Sequence, residues 1–166
     1  MSFDAFLHWL NDTPFSIVMR ESLWAEPVME TIHVLTLSLF LGFVVLLDLR
    51  LLDVSLRRKR VSEVFEQLNP GLFSGFAIMI VTGVLLFVAD PVAFYSTLFF
   101  KLKMIMLGAA IVNVLLFNFT LGKRMMEWDH APRTPFGVKL CGAASLLLWV
   151  SIVAAGRGIA YTLPPP

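Results

Sequence analysis

Four stretches of the chain, Val28 to Leu47, Leu72 to Val88, Leu102 to Phe119 and Val138 to Ala155, are almost continuously apolar. A hydrocarbon core roughly 30 Å thick takes about 20 mostly apolar residues per helix. The pattern therefore predicts four spans, at about 28–47, 72–88, 102–119 and 138–155. The fold class expected is an all-α integral membrane four-helix bundle, with residues 1–166 forming a single membrane domain. Ahead of the first span, Phe3, Phe6, Leu7 and Leu10 recur at helical spacing, and Thr13-Pro14 supplies an N-cap followed by proline at the first helical position. Residues 1–26 thus read as two short interfacial helices rather than a cleavable signal peptide, since Asp4 stands where a basic start belongs. The 50–70 connection continues a helical pattern that Asn69-Pro70-Gly71 is expected to stop. The Pro164-Pro165-Pro166 tail reads as a loose end.

Composition supports the membrane reading: 58% of the 166 residues are hydrophobic and 15% charged, too apolar for a soluble domain of this length. The partner is then the lipid bilayer. The net charge of +1 offers nothing to nucleic acid. Cys141 is the only cysteine, which rules out a disulfide or a thiolate cluster within one chain. Charge placement matters more. Arg50, Arg57, Arg58, Lys59, Arg60, Lys123, Arg124, Arg133 and Lys139 fall on one side of the predicted spans, and only Arg20, Lys101, Lys103 and Arg157 on the other. The positive-inside rule makes the first side cytoplasmic. Both termini and the 89–101 connection then face outward, to the periplasm if the membrane is a bacterial inner membrane.

Two polar residues stand in the first span, Glu30 and His33. His33 lies about five residues inside the outer end, roughly 8 Å deep at 1.5 Å per residue. Antiparallel neighbours bring Gly83, Gly108, Trp149 and Ser151 to a similar depth, with Lys101, Lys103 and Arg157 above them. An inward imidazole, small residues and overlying cations suit a flat, dianionic, apolar macrocycle. Haem b fits: iron takes an imidazole nitrogen, and the propionates reach Arg157 and the lysines. Glycines also serve close helix packing in membranes, which keeps the plainer reading open. Glu30 and His33 form E-x-x-H, but a di-iron carboxylate site needs two such motifs and two further carboxylates, which one chain lacks. His8, between Leu7 and Trp9, reads first as a surface residue and second as a sixth ligand. Met29, one turn before His33, is a weaker metal ligand. The remaining methionines read as filler. His130 reads as a loop residue, Asp48 with Arg50 as an ion pair at the inner end of the first span, and Asn113 and Asn118 as interhelical hydrogen-bond formers.

The segments "ETIHVLTLSLFLGFVVLLDLRLL", "FFKLKMIMLGAAIVNVLLFN" and "LLLWVSIVAAGRGIAY" resemble an uncharacterised family of small bacterial four-helix membrane proteins. More distantly, a histidine early in the first span, an arginine at its inner end and a lysine opening the third are similar to HemJ-type protoporphyrinogen oxidases and to CopD-type membrane domains. The HemJ resemblance implies His33 as axial ligand to haem b, Lys101 as the lysine beside it and Arg50 as the inner-end arginine. The tryptophan this resemblance implies a few residues after the histidine is absent, for Val34 to Phe40 hold aliphatic residues, Thr36, Ser38 and one phenylalanine. The expected function is thus a membrane b-type haem protein engaged in electron transfer or small-molecule redox chemistry at the outer side, with an unidentified redox partner. The alternative is copper or proton handling of CopD type at Glu30, His33 and Met29, without haem. A homo-oligomer, dimer or trimer, would help enclose a macrocycle.

Overall fold

The computed structural model describes residues 2–131 and 133–162, the side chain of Met126 excepted. Met1 and the Pro164 to Pro166 tail lie outside them. Every regular element among the described residues is helical. Helix α1 (Phe3–Asn11) starts where Ser2 Oγ accepts from the Ala5 amide at 3.3 Å, and α2 (Pro14–Glu21) where Thr13 Oγ1 accepts from Ser16 at 3.3 Å. Four long elements follow: α3 (Ala25–Leu51), α4 (Val61–Ala89), α6 (Leu98–Leu116) and α8 (Phe136–Thr162), with a short α5 (Pro91–Ser96) and α7 (Met125–Trp128) between them. Helix α6 runs on through a π-helical turn (Phe117–Leu121) and a 3-10 turn (Gly122–Arg124), so its apolar rod spans Leu98–Arg124. All four rods are long and apolar enough to cross a membrane. Their outward side chains are largely uncovered among the described residues: Leu39 is 68%, Ile105 69% and Leu147 70% exposed. In water such a surface would aggregate; in a bilayer it is the solvent-facing side. The chain is an all-α, multi-pass membrane bundle.

Helix α3 packs against α4 and against α8, and α8 packs against α6. Helices α4 and α6 meet near their ends, where Phe87 stacks on Phe100 with ring centroids 5.2 Å apart. The core drawn from all four rods is Phe40, Val44, Met79, Ala110, Trp149 and Ile152, with Phe40 set edge-on to Trp149 at 4.8 Å. Glycines set the spacing of α3 and α4. A Cβ added at Gly71 would meet the Phe43 ring at 2.5 Å, and one at Gly75 would meet Phe40 Cβ at 3.2 Å. Gly71, Gly75, Met79 and Gly83 recur every four residues, so they form one ridge of α4 into which α3 sets its rings. The two terminal helices brace one end. Ser16 Oγ and Arg20 Nη1 both donate to the last carbonyl of α4, Ala89 O, at 3.0 and 3.1 Å, satisfying a group the helix leaves unpaired.

Two expectations need correcting at the opposite, basic end. The helix after the first span does not run on to a stop at Asn69-Pro70-Gly71. It breaks earlier, over residues 52–60, and α4 passes through Pro70. Leu52 ends α3, Asp53 takes a left-handed φ of 56°, and the amides of Val54 and Asp53 return to Leu49 O and Arg50 O at 2.9 and 3.1 Å. That is the Schellman arrangement, with aspartate where glycine is commoner. Pro70 is tolerated because the carbonyl it leaves unpaired, that of Glu66, lies on an exposed turn near the helix start. The second correction concerns Asp48, which does not pair with Arg50. Arg50 turns to Asp53, 3.1 Å from Oδ1, and donates from Nε to Lys59 O at 2.8 Å. Two residues apart on a helix, the two side chains point to nearly opposite flanks. Asp48 is instead buried, 4% exposed, in the α3–α8 seam, where Oδ2 finds no hydrogen-bond partner among the described residues.

Candidate functional site around His33

The α3–α4 register decides what surrounds His33. Phe43 sits over Gly71 and Phe40 over Gly75; two turns further along, the same antiparallel register brings His33 to Thr82 and Gly83. A Cβ added at Gly83 would lie 3.4 Å from His33 Cε1, in ordinary contact. His33 is therefore a ring set over glycine like its two phenylalanine predecessors, but with nitrogen at its edge. It is half-buried.

One of those nitrogens is committed. His33 Nδ1 lies 2.8 Å from Thr82 Oγ1, and Thr82 Oγ1 lies 2.8 Å from Ile78 O. A backbone carbonyl only accepts, so the single hydroxyl proton of Thr82 goes to Ile78. Thr82 can then only accept from the ring, which assigns the proton to Nδ1 and leaves Nε2 as the bare, basic nitrogen. Among the described residues Nε2 makes no hydrogen bond. Thr82 is 4% exposed, so water does not readily replace it.

The cations sort themselves by helical angle. Lys103 is half-buried, its ammonium 3.8 Å from where a Cβ on Gly156 would stand and within electrostatic range of the His33 ring. Lys101, two residues earlier and so on the other flank of α6, is exposed and lies over the Tyr95 ring at 4.7 Å. Arg157 is exposed over the Tyr161 ring at 5.5 Å, with Nη2 donating to the Tyr161 hydroxyl at 3.3 Å. The structure thus brings His33, Thr82, Gly83 and Lys103 together. Lys101 and Arg157 are held by neighbouring tyrosines.

The other residues singled out in the sequence lie apart. Trp149 belongs to the apolar core against Phe40. Gly108 faces open space, with nothing within 4 Å of an added Cβ. Met29 is half-buried and Glu30 exposed on the turn before His33. His8 is exposed on α1, beside Arg20 and Asp90 in a shallow depression of ≈ 380 Å³. No group of three His, Cys, Asp or Glu side chains gathers among the described residues. Asn113 makes the interhelical bond expected of it, donating from Nδ2 to Cys141 O at 3.0 Å, whereas Asn118 is exposed. Sequence reasoning passed over Thr82. Its signal was available as the polar residue directly preceding Gly83 in an otherwise apolar run.

A family described as "Family of unknown function (DUF6644)" has a model that matches residues 21–162, which takes in all four rods and leaves α1 and most of α2 outside. No curated protein and no solved structure matches the chain.

Proposed function

We propose that this chain, which belongs to the DUF6644 family, is a membrane b-type haem protein in which His33 Nε2 is the axial ligand. The observation that carries the reading is the 2.8 Å contact of His33 Nδ1 with the buried Thr82 hydroxyl, which leaves Nε2 without a hydrogen bond among the described residues. Histidines that hold a metal usually donate their second ring N–H to a neighbour that orients them and raises their basicity, and Thr82 does so from a buried position. The donor set suits haem better than a bare ion. A porphyrin supplies four nitrogens itself and asks the protein for one or two, whereas a metal ion held by protein side chains alone asks for three or more. Gly83 lets α4 pass close beneath the imidazole, and Lys103, within electrostatic range of the ring, would offer a cation to a propionate. In this reading Lys103 takes the role first expected of Lys101, and Arg157 contributes at the rim.

A bound haem would supply one-electron chemistry or coordination of a small ligand, while the chain sets access and polarity. Thr82 holds the imidazole in one tautomer, and the α4 ridge keeps it from turning. The same reading places the chain in a bacterial inner membrane with His33 toward the outer leaflet, as the charge distribution implies. The test is an absorbance spectrum of detergent-purified protein in oxidised and reduced states, beside the His33→Ala variant. The natural chain should show a Soret band that shifts on reduction, and the variant should lack it. A colourless natural chain carrying copper would overturn the proposal in favour of a CopD-type metal role.

A further inference from the structure

At the basic end, far along the rods from His33, the chain encloses a concavity of ≈ 570 Å³ between the 52–60 loop and the 129–133 loop, closed on one side by Lys139. Seven of its lining residues are lysine or arginine and two are carboxylates, an excess of five positive charges. Such an excess is ordinary on an exposed loop, but here both carboxylates are already committed, Asp53 to two of the seven cations and Asp129 to the start of α4. Asp53 Oδ2 holds Lys139 Nζ at 2.9 Å and the Thr134 amide at 3.0 Å, while Oδ1 takes the Thr134 hydroxyl at 2.6 Å and Arg50 at 3.1 Å. Asp129 is spent on the start of α4, its Oδ1 accepting from the amides of Val61 and Ser62 at 2.8 and 3.2 Å and its Oδ2 from the Ser62 hydroxyl.

These bonds make the acids part of the wall. Arg50 and Lys139 belong to it too, since Asp53 clamps both. What remains lining the concavity is Arg57, whose Nε donates to the Asp53 backbone carbonyl, with Arg58, Lys59 and Arg133, none with an acidic side-chain partner among the described residues, and Arg60, whose only acid, Glu63, stands 3.9 Å away with both side chains half exposed. The loop that presents them is held in shape by two non-glycine residues with left-handed backbone, Asp53 at φ 56° and Leu56 at φ 53°. A β-carbon makes that conformation costly, so the curl persists only because its bonds hold it. The result is a pre-shaped, uncompensated cationic bowl where the rods end. Apart from Leu52 and Ala131 its lining is polar or charged, which suits an oxyanion rather than an acyl chain.

We infer that this bowl binds a phosphate group, carried either by an anionic lipid headgroup or by a soluble phosphate compound. Arginine and lysine in a shaped pocket beside a membrane recognise phosphate by charge and by forked N–H donors. The inference is independent of the haem reading. It is tested by placing the full chain in nanodiscs of phosphatidylcholine containing phosphatidylglycerol and counting the lipid retained by native mass spectrometry. In a parallel arm, inorganic phosphate is dialysed against the chain in nanodiscs of phosphatidylcholine alone. Retention of phosphatidylglycerol only identifies a lipid site; saturable inorganic phosphate binding identifies a soluble ligand; either supports the inference. Arg58→Gln with Arg133→Gln should weaken retention by about tenfold or more, since each basic residue near a membrane surface is worth roughly a factor of five. Arg58→Lys with Arg133→Lys should restore most of it, which separates lost charge from lost fold. Lys123→Gln with Arg124→Gln removes the same charge from the same end but outside the bowl, and should change retention little. Equal weakening by both neutralised pairs, or retention of neither probe, would overturn the inference.

Discussion

Replacing Thr82 by valine keeps the volume and removes the one acceptor of His33 Nδ1–H. Two effects of different size should follow. Interhelical hydrogen bonds in membranes contribute on average about 0.6 kcal/mol and at most about 1.7. His33 is only half-buried, so its freed N–H has some access to other partners, and the loss of stability should stay within that range. The effect on ligand binding should be larger, because nothing then prevents the proton from moving to Nε2, the nitrogen needed for iron. Removing the partner that orients a ligating histidine typically lowers metal affinity 10- to 100-fold. The assay is a haem titration of purified apoprotein followed by absorbance, beside thermal unfolding of the same samples. Thr82→Val should bind haem at least tenfold more weakly while its midpoint moves by a few degrees, and Thr82→Ser should behave as the natural chain. Haem affinity unchanged in Thr82→Val but abolished in His33→Ala would refute the tautomer reasoning. Unchanged affinity in both would refute the site.

Three further outcomes are expected. Gly142→Ala places a Cβ 3.1 Å from Leu51 Cβ and 3.3 Å from the Asp48 carbonyl, neither of which can swing aside, and should cost about 1–3 kcal/mol in unfolding measurements; Gly108→Ala, which meets nothing within 4 Å, should cost nothing. Partial burial works to raise the Asp53 carboxyl, but hydrogen bonds from the Thr134 hydroxyl, Lys139 and the Thr134 amide, with the Lys139 charge, hold it down at about 2 against an ordinary 3.8. A carboxyl lowered on folding stabilises the fold above its ordinary value and ceases to as it is protonated, so protection of the Thr134 amide against hydrogen exchange should be full above pH 4 and vanish as pH falls toward 2. Asp129→Ala leaves the first amides of α4 without their acceptor and should cost about 1–2 kcal/mol, read as faster exchange at Val61 and Ser62 than in Asp129→Asn.

The four rods were legible because an apolar run of about 20 residues matches the thickness of a bilayer and exceeds what a buried helix of a soluble domain requires. The position of His33 along its rod could be read as well, since counting residues within the run sets it. What surrounds it was less accessible. Gly83 and Gly108 look alike in sequence, but only Gly83 continues the four-residue ridge of Gly71 and Gly75 that faces α3. Lys101 and Lys103 sit two residues apart in the chain, and only the azimuth of α6 decides which turns inward. Depth follows from counting along one helix; azimuth depends on which helices are neighbours, and that is a property of the packed bundle. The break between α3 and α4 was misplaced for a different reason. Asn-Pro-Gly is a strong local stop, yet α4 carries Pro70 inside it, where the unpaired Glu66 carbonyl lies on an exposed turn, while the actual stop uses Asp53 in a role usually given to glycine.

The order in which the rods touch, α4 to α3 to α8 to α6, has a bearing on how the molecule is made. Helices α3 and α4 are joined by residues 52–60, and the α6 rod, which ends at Arg124, is joined to α8 by residues 125–135, so each pair is a hairpin whose contacts are local in the chain. Local contacts form quickly, and chains fold from the first-synthesised end. The α3–α4 hairpin, which already contains His33, Thr82 and Gly83, can therefore close before α8 has been synthesised. In that order the seam between α3 and α8, lined by Gly142 and buried Asp48, is expected to be the joint made last. Two separately translated halves, cut between α5 and α6, should then associate along it, and failure of the two to co-purify would refute this order.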